Sequence, residues 1–240
     1  LLGGEYLTDT KIVTRLLPLD LELFSTTTEE KTGEVKVTNI RTKMKVAMLY
    51  FWFRSKSTCY KKVEYLPFPN GKSYTNRELS KTFGYGVNNI PVMMNILVKN
   101  GLIVIDKEHK RYIFPTENFI EGNNYLYVHI DVLRQMVDYG LEHKYDAVPL
   151  LLLMYLFRIS KGAKIKNTQC RFTMKQMLLW LGYDKRTKTD NISRILQYFQ
   201  RQLKWISFKE VREHREDGSY VTYNVLDYIK EIDKNFLKSS

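Results

Sequence analysis

The chain has little cysteine, proline or histidine, and each shortage removes a class of protein. Only two cysteines occur in 240 residues, Cys59 and Cys170, and they lie far apart. No disulfide framework and no zinc finger is expected, and that usage fits a reduced, cytoplasmic setting. The four histidines, His109, His129, His143 and His214, form no His-x-His or His-Glu-x-x-His spacing, so no metal site is expected. The lack of a His-hydrophobe-His pair also disfavours the rolling-circle nicking class, despite seventeen tyrosines. No apolar run approaches the roughly 18 residues of a membrane span, so no membrane partner is expected. The N-terminus, Leu1-Leu2-Gly3-Gly4-Glu5, has no basic region ahead of an apolar core, and no signal peptide is expected. Gly71-Lys72-Ser73 ends like a phosphate-binding loop. Leu66 stands where the first glycine of that motif belongs, so a turn is expected instead. No nucleophile, base and orienter can be named together, and neither catalysis nor a cofactor is expected.

What is abundant is positive charge and apolar mass. Hydrophobic residues make up 44% of the chain and aromatics 13%, enough for one large globular core or two small ones. The net charge is +12, and it is unevenly spread. Residues 41–116 carry 14 basic and 4 acidic groups, and residues 163–240 carry 16 and 9. The segments 1–40 and 117–162 are slightly acidic. Two basic blocks of this kind favour polyanions through counterion release.

Periodicity and capping signals predict a similar order of elements twice. A helix over Thr42–Ser55 is followed by a long connection containing Pro67, Pro69, Asn70 and Gly71. Ser73-Tyr74-Thr75 reads as a short edge strand, and Thr75 or Asn76 as the cap of a helix through Phe83. After Gly84-Tyr85-Gly86 a helix runs from Asn88 to Asn100, and Leu102–Ile105 with Arg111–Phe114 reads as a hairpin. In the second half, helices are expected over Ile130–Leu141 and Asp146–Ser160. The latter contains the apolar run Leu150–Leu156 and is expected to be central. Cys170-Arg171-Phe172 reads as the short strand, and Thr173 as the cap of a helix through Leu181. After Gly182-Tyr183, a helix covers Thr189–Lys204. Ile206–Val211 and Tyr220–Leu226 flank a hairpin turn at Glu216-Asp217-Gly218. Trp52, Trp180 and Trp205 are expected in the core.

The two halves differ at the helix before the hairpin. In the helix starting near Thr189, Ile192, Ile195, Leu196, Phe199 and Leu203 fall on one stripe at about 100° per residue. Asp190, Arg194, Gln197 and Arg201 fall opposite. Arg suits guanine and phosphate, and Gln suits adenine. The preceding turn holds Lys185, Arg186 and Lys188 at a helix N-terminus, where phosphate is favoured. Asn191 lies beside them, and the hairpin adds Lys209, Arg212, His214 and Arg215. In the first half, Ile90, Met94 and Leu97 line the core side, while Asn88, Val92, Asn95 and Lys99 point outward. Val92 and Met93 fit a protein interface as well as Asn88 and Asn89 fit base contact. The cations of that half lie elsewhere, at Lys43, Lys45, Arg54, Lys56, Lys61, Lys62, Lys107, Lys110 and Arg111, which suits contact with the phosphate backbone.

Gly84-Tyr85 and Gly182-Tyr183 sit between paired helices, each pair followed by a hairpin. With the stretch from Glu78-Leu79 to Gly101-Leu102-Ile103, this pattern resembles tandem winged-helix proteins over residues 42–114 and 130–228. Among these the chain is most similar to plasmid and phage replication initiators of low-GC bacteria. The resemblance implies a mainly α fold with small β hairpins (α+β), arranged as two winged helix-turn-helix domains in tandem. An N-terminal arm over 1–41 would precede domains at 42–118 and 119–240. It implies sequence-specific binding of double-stranded DNA at origin repeats by one domain, while the other forms a homodimer or tracks the backbone. Replication proteins are further expected partners. A transcriptional regulator of the same fold and a non-catalytic protein-interaction module are the alternatives.

Overall fold

The computed structural model describes residues 16–20, 40–115, 125–183 and 189–229. It is an α+β protein. Strand β1 (Leu16–Asp20) precedes helix α1 (Ile40–Ser55), a hairpin of β2 (Thr58–Tyr60) and β3 (Val63–Pro67), helices α2 (Asn76–Phe83) and α3 (Asn89–Lys99), and a hairpin of β4 (Val104–Asp106) and β5 (Arg111–Ile113). The second half runs β6 (Tyr125–His129), α4 (Ile130–His143), α5 (Val148–Ile165), β7 (Arg171–Phe172), α6 (Met174–Trp180), α7 (Asp190–Gln197), β8 (Ile206–His214) and β9 (Tyr220–Ile229).

The expected recurrence of elements is present. In each half a strand precedes two helices and a hairpin, and that strand pairs antiparallel with the hairpin's second strand. The sheet orders are β2-β3-β5-β4 and β7-β9-β8. The same local chemistry starts the first helix of each pair. Thr75 Oγ1 accepts from the Glu78 amide while Glu78 accepts from the Thr75 amide. Thr173 and Gln176 do the same at α6. Each box satisfies two amide donors that a helix start otherwise leaves unpaired. Gly84, at φ 66°, ends α2 in the left-handed region.

Three local expectations are corrected. Ser73-Tyr74-Thr75 is not a strand. The Tyr74 amide donates to the Tyr112 hydroxyl, its ring packs on Trp52 and Phe53, and β3 takes the place beside β5. The helix expected over Thr189–Lys204 is α-helical only to Gln197 and widens into a π turn over Tyr198–Gln202. That turn leaves Leu203 half-buried and lets Phe199 and Trp205 both reach the core. Leu16–Asp20, within the expected N-terminal arm, pairs antiparallel with β6.

Two helices are buried all round over part of their length. The unbroken apolar run Val46–Phe53 in α1 is entirely buried, as is Val148–Phe157 in α5. A helix without a polar face has to lie inside. Helix α4 packs on both of them, so the buried apolar residues of the two halves form one cluster. The turn between α4 and α5 fixes this junction. Tyr85, from the first half, donates its hydroxyl to Asp146, and burial together with that carboxylate pushes the phenol's pKa up. Gly140 passes under the same turn. A Cβ there would lie 2.4 Å from the Asp146 carbonyl oxygen. Among the described residues, no helix is long and apolar enough to cross a membrane.

The most demanding contact lies at the end of α1. Arg54 has 0% exposure and Glu64, on β3, has 5%. Arg54 Nε donates to Glu64 Oε1 at 3.0 Å and Nη2 to Oε2 at 2.6 Å, a bidentate pair, while Nη1 donates to the Tyr50 hydroxyl at 3.1 Å. Ser57 Oγ lies 2.6 Å from Glu64 Oε1. Glu64→Ala is expected to destabilise the chain by about 3–5 kcal/mol in urea unfolding, because it leaves a charged guanidinium buried alone. The double change Arg54→Met with Glu64→Leu is expected to cost much less. Equal losses from the two variants would contradict this account.

Candidate nucleic-acid interface

Helix α7 turns one face inward and the other to solvent. Ile192, Ile195 and Leu196 are buried, as the stripe predicts. Asp190, Asn191, Arg194 and Gln197 are exposed, and so is Arg201 in the π turn that follows. Asn191 also lines a cleft of about 110 Å³ with Lys144, Tyr145 and Tyr183. The end of this helical segment is tied to the hairpin's root. The Trp205 amide donates to the Phe199 carbonyl, and the Gln200 side chain reaches the Phe208 carbonyl.

The β8–β9 hairpin extends this surface. Residues directly opposite in an antiparallel pair share a face. Phe208 opposes Leu226, and both pack against the core. Two steps further out on the same face Glu210 opposes Asn224, then Arg212 opposes Thr222, then His214 opposes Tyr220. The outer part of the hairpin therefore turns Arg212, His214 and Tyr220 to the side on which its root meets the helices. The Arg212 guanidinium lies over the Tyr220 ring at 4.7 Å, and the His214 ring meets it edge-on at 4.5 Å. Tyr220 is nevertheless 57% exposed. Arg215 is exposed at the turn, which Gly218 closes at φ 81°.

Pairing separates the cations of the second half. On the other face of the hairpin Arg171 pairs with Glu213, and Lys209 Nζ lies 3.3 Å from Asp227. Arg194, Arg201 and Arg212 form no ion pair among the described residues, whereas Arg215 lies near enough to Asp217 to help lower its carboxyl pKa. The arginines outside any ion pair thus sit on the outward side of α7 and on the outer hairpin. Lys185, Arg186 and Lys188, also expected to contact phosphate, lie outside the described residues. Sequence reasoning missed Tyr220. Its signal was the Asp217-Gly218 turn, which sets the register that brings Tyr220 opposite His214.

The first half offers less. Asn88 and Asn89 are exposed at the start of α3, as are Val92, Asn95 and Lys99 along it. Met93 is only 2% exposed and belongs to the core, which corrects its expected place in an interface. Met94, expected inside, is half-buried. Arg54, expected to face phosphate, is the buried partner of Glu64. Lys107 and Lys110 are exposed at the tip of the β4–β5 hairpin. Arg111 is not free in the same way. Its Nε donates to Asp106 at 2.9 Å and its guanidinium lies over Tyr65 at 5.4 Å. Among the described residues, no group of three His, Cys, Asp or Glu could hold a metal ion.

The chain matches no family model, no curated protein and no solved structure.

The amide of His109 holds the Asp106 carboxyl down to about 2. Partial burial opposes this, and the Arg111 and His109 side chains reinforce it. Because the folded value lies below the unfolded one, the Asp106–Arg111 contact is fully present above about pH 4 and is lost as the pH falls through about 2. An NMR titration of the Asp106 carboxyl carbon is expected to show a midpoint near 2. A midpoint near the ordinary 3.9 would mean that neither the His109 amide nor Arg111 is held on this carboxylate.

Proposed function

We propose that the chain is a sequence-specific double-stranded DNA-binding protein that reads bases with α7 and holds the backbone with the β8–β9 hairpin. The observation that carries this reading is the set of exposed arginines outside any ion pair, Arg194 and Arg201 on the helical segment and Arg212 on the hairpin. Arginine is the commonest side chain for bidentate contact with guanine and with phosphate. A basic surface that served only solubility would need no such separation from the paired cations on the hairpin's other face.

The topology supports the winged-helix reading of both halves, since a strand, two helices and a hairpin recur with the strand beside the hairpin's second member. In that fold the second helix enters the major groove and the hairpin flanks it. On this reading α7 is the reader. Helix α3, with Val92 56% exposed and Lys99 its one outward cation, serves contact between copies of the chain or non-specific tracking. The division of labour suits a plasmid or phage replication initiator bound to origin repeats. A repeat array beside an AT-rich tract, selected by the protein from genomic fragments, supports that role. Selection of promoter sequences supports a transcriptional regulator instead.

If roughly 6–10 phosphates are neutralised, duplex affinity is expected to fall by about 10³–10⁵ between 50 and 200 mM salt. Arg194→Ala is expected to cost about 1–3 kcal/mol on the selected site and to relax preference at one base pair, without loss of folded stability. Unchanged affinity and preference in that variant would remove α7 as the reader. A flat salt response of the unaltered chain would remove DNA binding altogether.

A further inference from the structure

The β2–β3 hairpin turns through Lys61 and Lys62, at φ 48° and 68°. Tyr60 and Val63 pair across it, so these two lysines are the whole turn. A two-residue turn with both central residues at positive φ favours Asn-Gly, because a side chain with a Cβ is strained there. Two lysines in succession break that local rule, although single lysines at Lys110, Lys144 and Lys204 also take positive φ in this chain. Both are exposed, as are all three residues of β2. Tyr60 is 63% exposed, with Lys61 Nζ 5.3 Å from its ring centre. Exposed Lys56 stands just before the hairpin. Lysines that protect an edge strand from wrong pairing belong on the strand. Here β2 itself reads Thr58-Cys59-Tyr60 and the charge is all in the turn. The second half has no counterpart, since β7 is not preceded by a partner strand. Strain held at an exposed tip, with two cations and an unburied aromatic ring, is the pattern of a ligand contact rather than of a folding element.

We propose that the tip Tyr60-Lys61-Lys62-Val63 is a second nucleic-acid contact, which grips the sugar–phosphate backbone of a duplex outside the stretch met by α7. The lysines meet phosphate and the Tyr60 ring packs on the adjoining sugar. This assignment rests on the reading of the chain as a duplex-binding protein, and it lengthens the DNA segment the chain covers.

The test uses the full chain and a random-sequence duplex titrated at several salt concentrations. The variant K61N/K62G installs the turn the backbone prefers and removes both charges. It is expected to melt a few degrees higher than the unaltered chain. Its slope of log affinity against log salt is expected to be shallower by about two units, with binding weaker by roughly 10²-fold near 0.1 M salt. K61R/K62R, which keeps the charge, is expected to keep the slope. Cys59, exposed beside Tyr60, supplies a second readout. Burial pushes the Cys170 thiol up to about 11, so a neutral maleimide at pH 7 reports on Cys59, and saturating duplex is expected to slow that reaction. A K61N/K62G variant that melts higher yet binds with unchanged slope, together with unprotected Cys59, overturns the assignment and leaves the DNA reading standing. Absence of salt-dependent binding by the unaltered chain overturns both.

Discussion

A guanidinium with no exposed surface sits at the C-terminal end of α1, and the first half of the chain is arranged to keep it paired. Arg54 cannot give up its charge, so its burial is tolerable only with a carboxylate in bidentate register and its remaining donor engaged. Glu64 meets the first requirement and Tyr50 helps to meet the second. Through Glu64 this contact sets where β3 lies against α1, and β3 sets β5 beside it. The tip of the β2–β3 hairpin and the tip of the β4–β5 hairpin both inherit their positions from that register.

The second half is held by apolar packing instead. Helix α5 is buried throughout Val148–Phe157, and α4 lies between it and α1. The close pass of Gly140 beneath the Asp146 carbonyl, with Tyr85 bonded to the Asp146 side chain, joins the halves where two helices end. Helix α7 and its hairpin lie at the outer side of this frame. Their charged side chains lie outside the core.

Local features were legible in the sequence. Thr75 and Thr173 cap helices as expected, because a threonine followed three residues later by Glu78 or Gln176 carries its own bonding partner. The α7 stripe was legible because Ile192, Ile195 and Leu196 repeat at helical spacing, and the outward set of Arg194, Gln197 and Arg201 follows from it. Contacts made between distant segments were not legible. Arg54 looked like one more surface cation, since its partner reaches it only after the chain has turned through β2. Arg111 looked free although its partner Asp106 is local, because the pair is set by the register of the β4–β5 hairpin, which two flanking apolar runs leave open. Met93 lies in the core and Met94 is only half-buried against it, a division not legible in the sequence because a small error in helical phase moves a residue across the boundary of the core. The pairing of β1 with β6 joins segments with most of the first half between them. A hairpin within the connection after α1 was open in the sequence, and Lys61 and Lys62 were legible as cations, but the position of the turn was not, because nothing in two lysines announces one.

The central claim is that the outer β8–β9 hairpin and α7 face DNA. Hydroxyl-radical footprinting of the full chain, read by mass spectrometry with and without a duplex selected from a random pool, tests it most directly. His214 and Tyr220 are both exposed, and their rings are of the kinds that hydroxyl radical oxidises. The account predicts that saturating duplex strongly reduces oxidation at both. Unchanged oxidation at His214 and Tyr220 with the duplex bound would place the interface elsewhere and contradict the account.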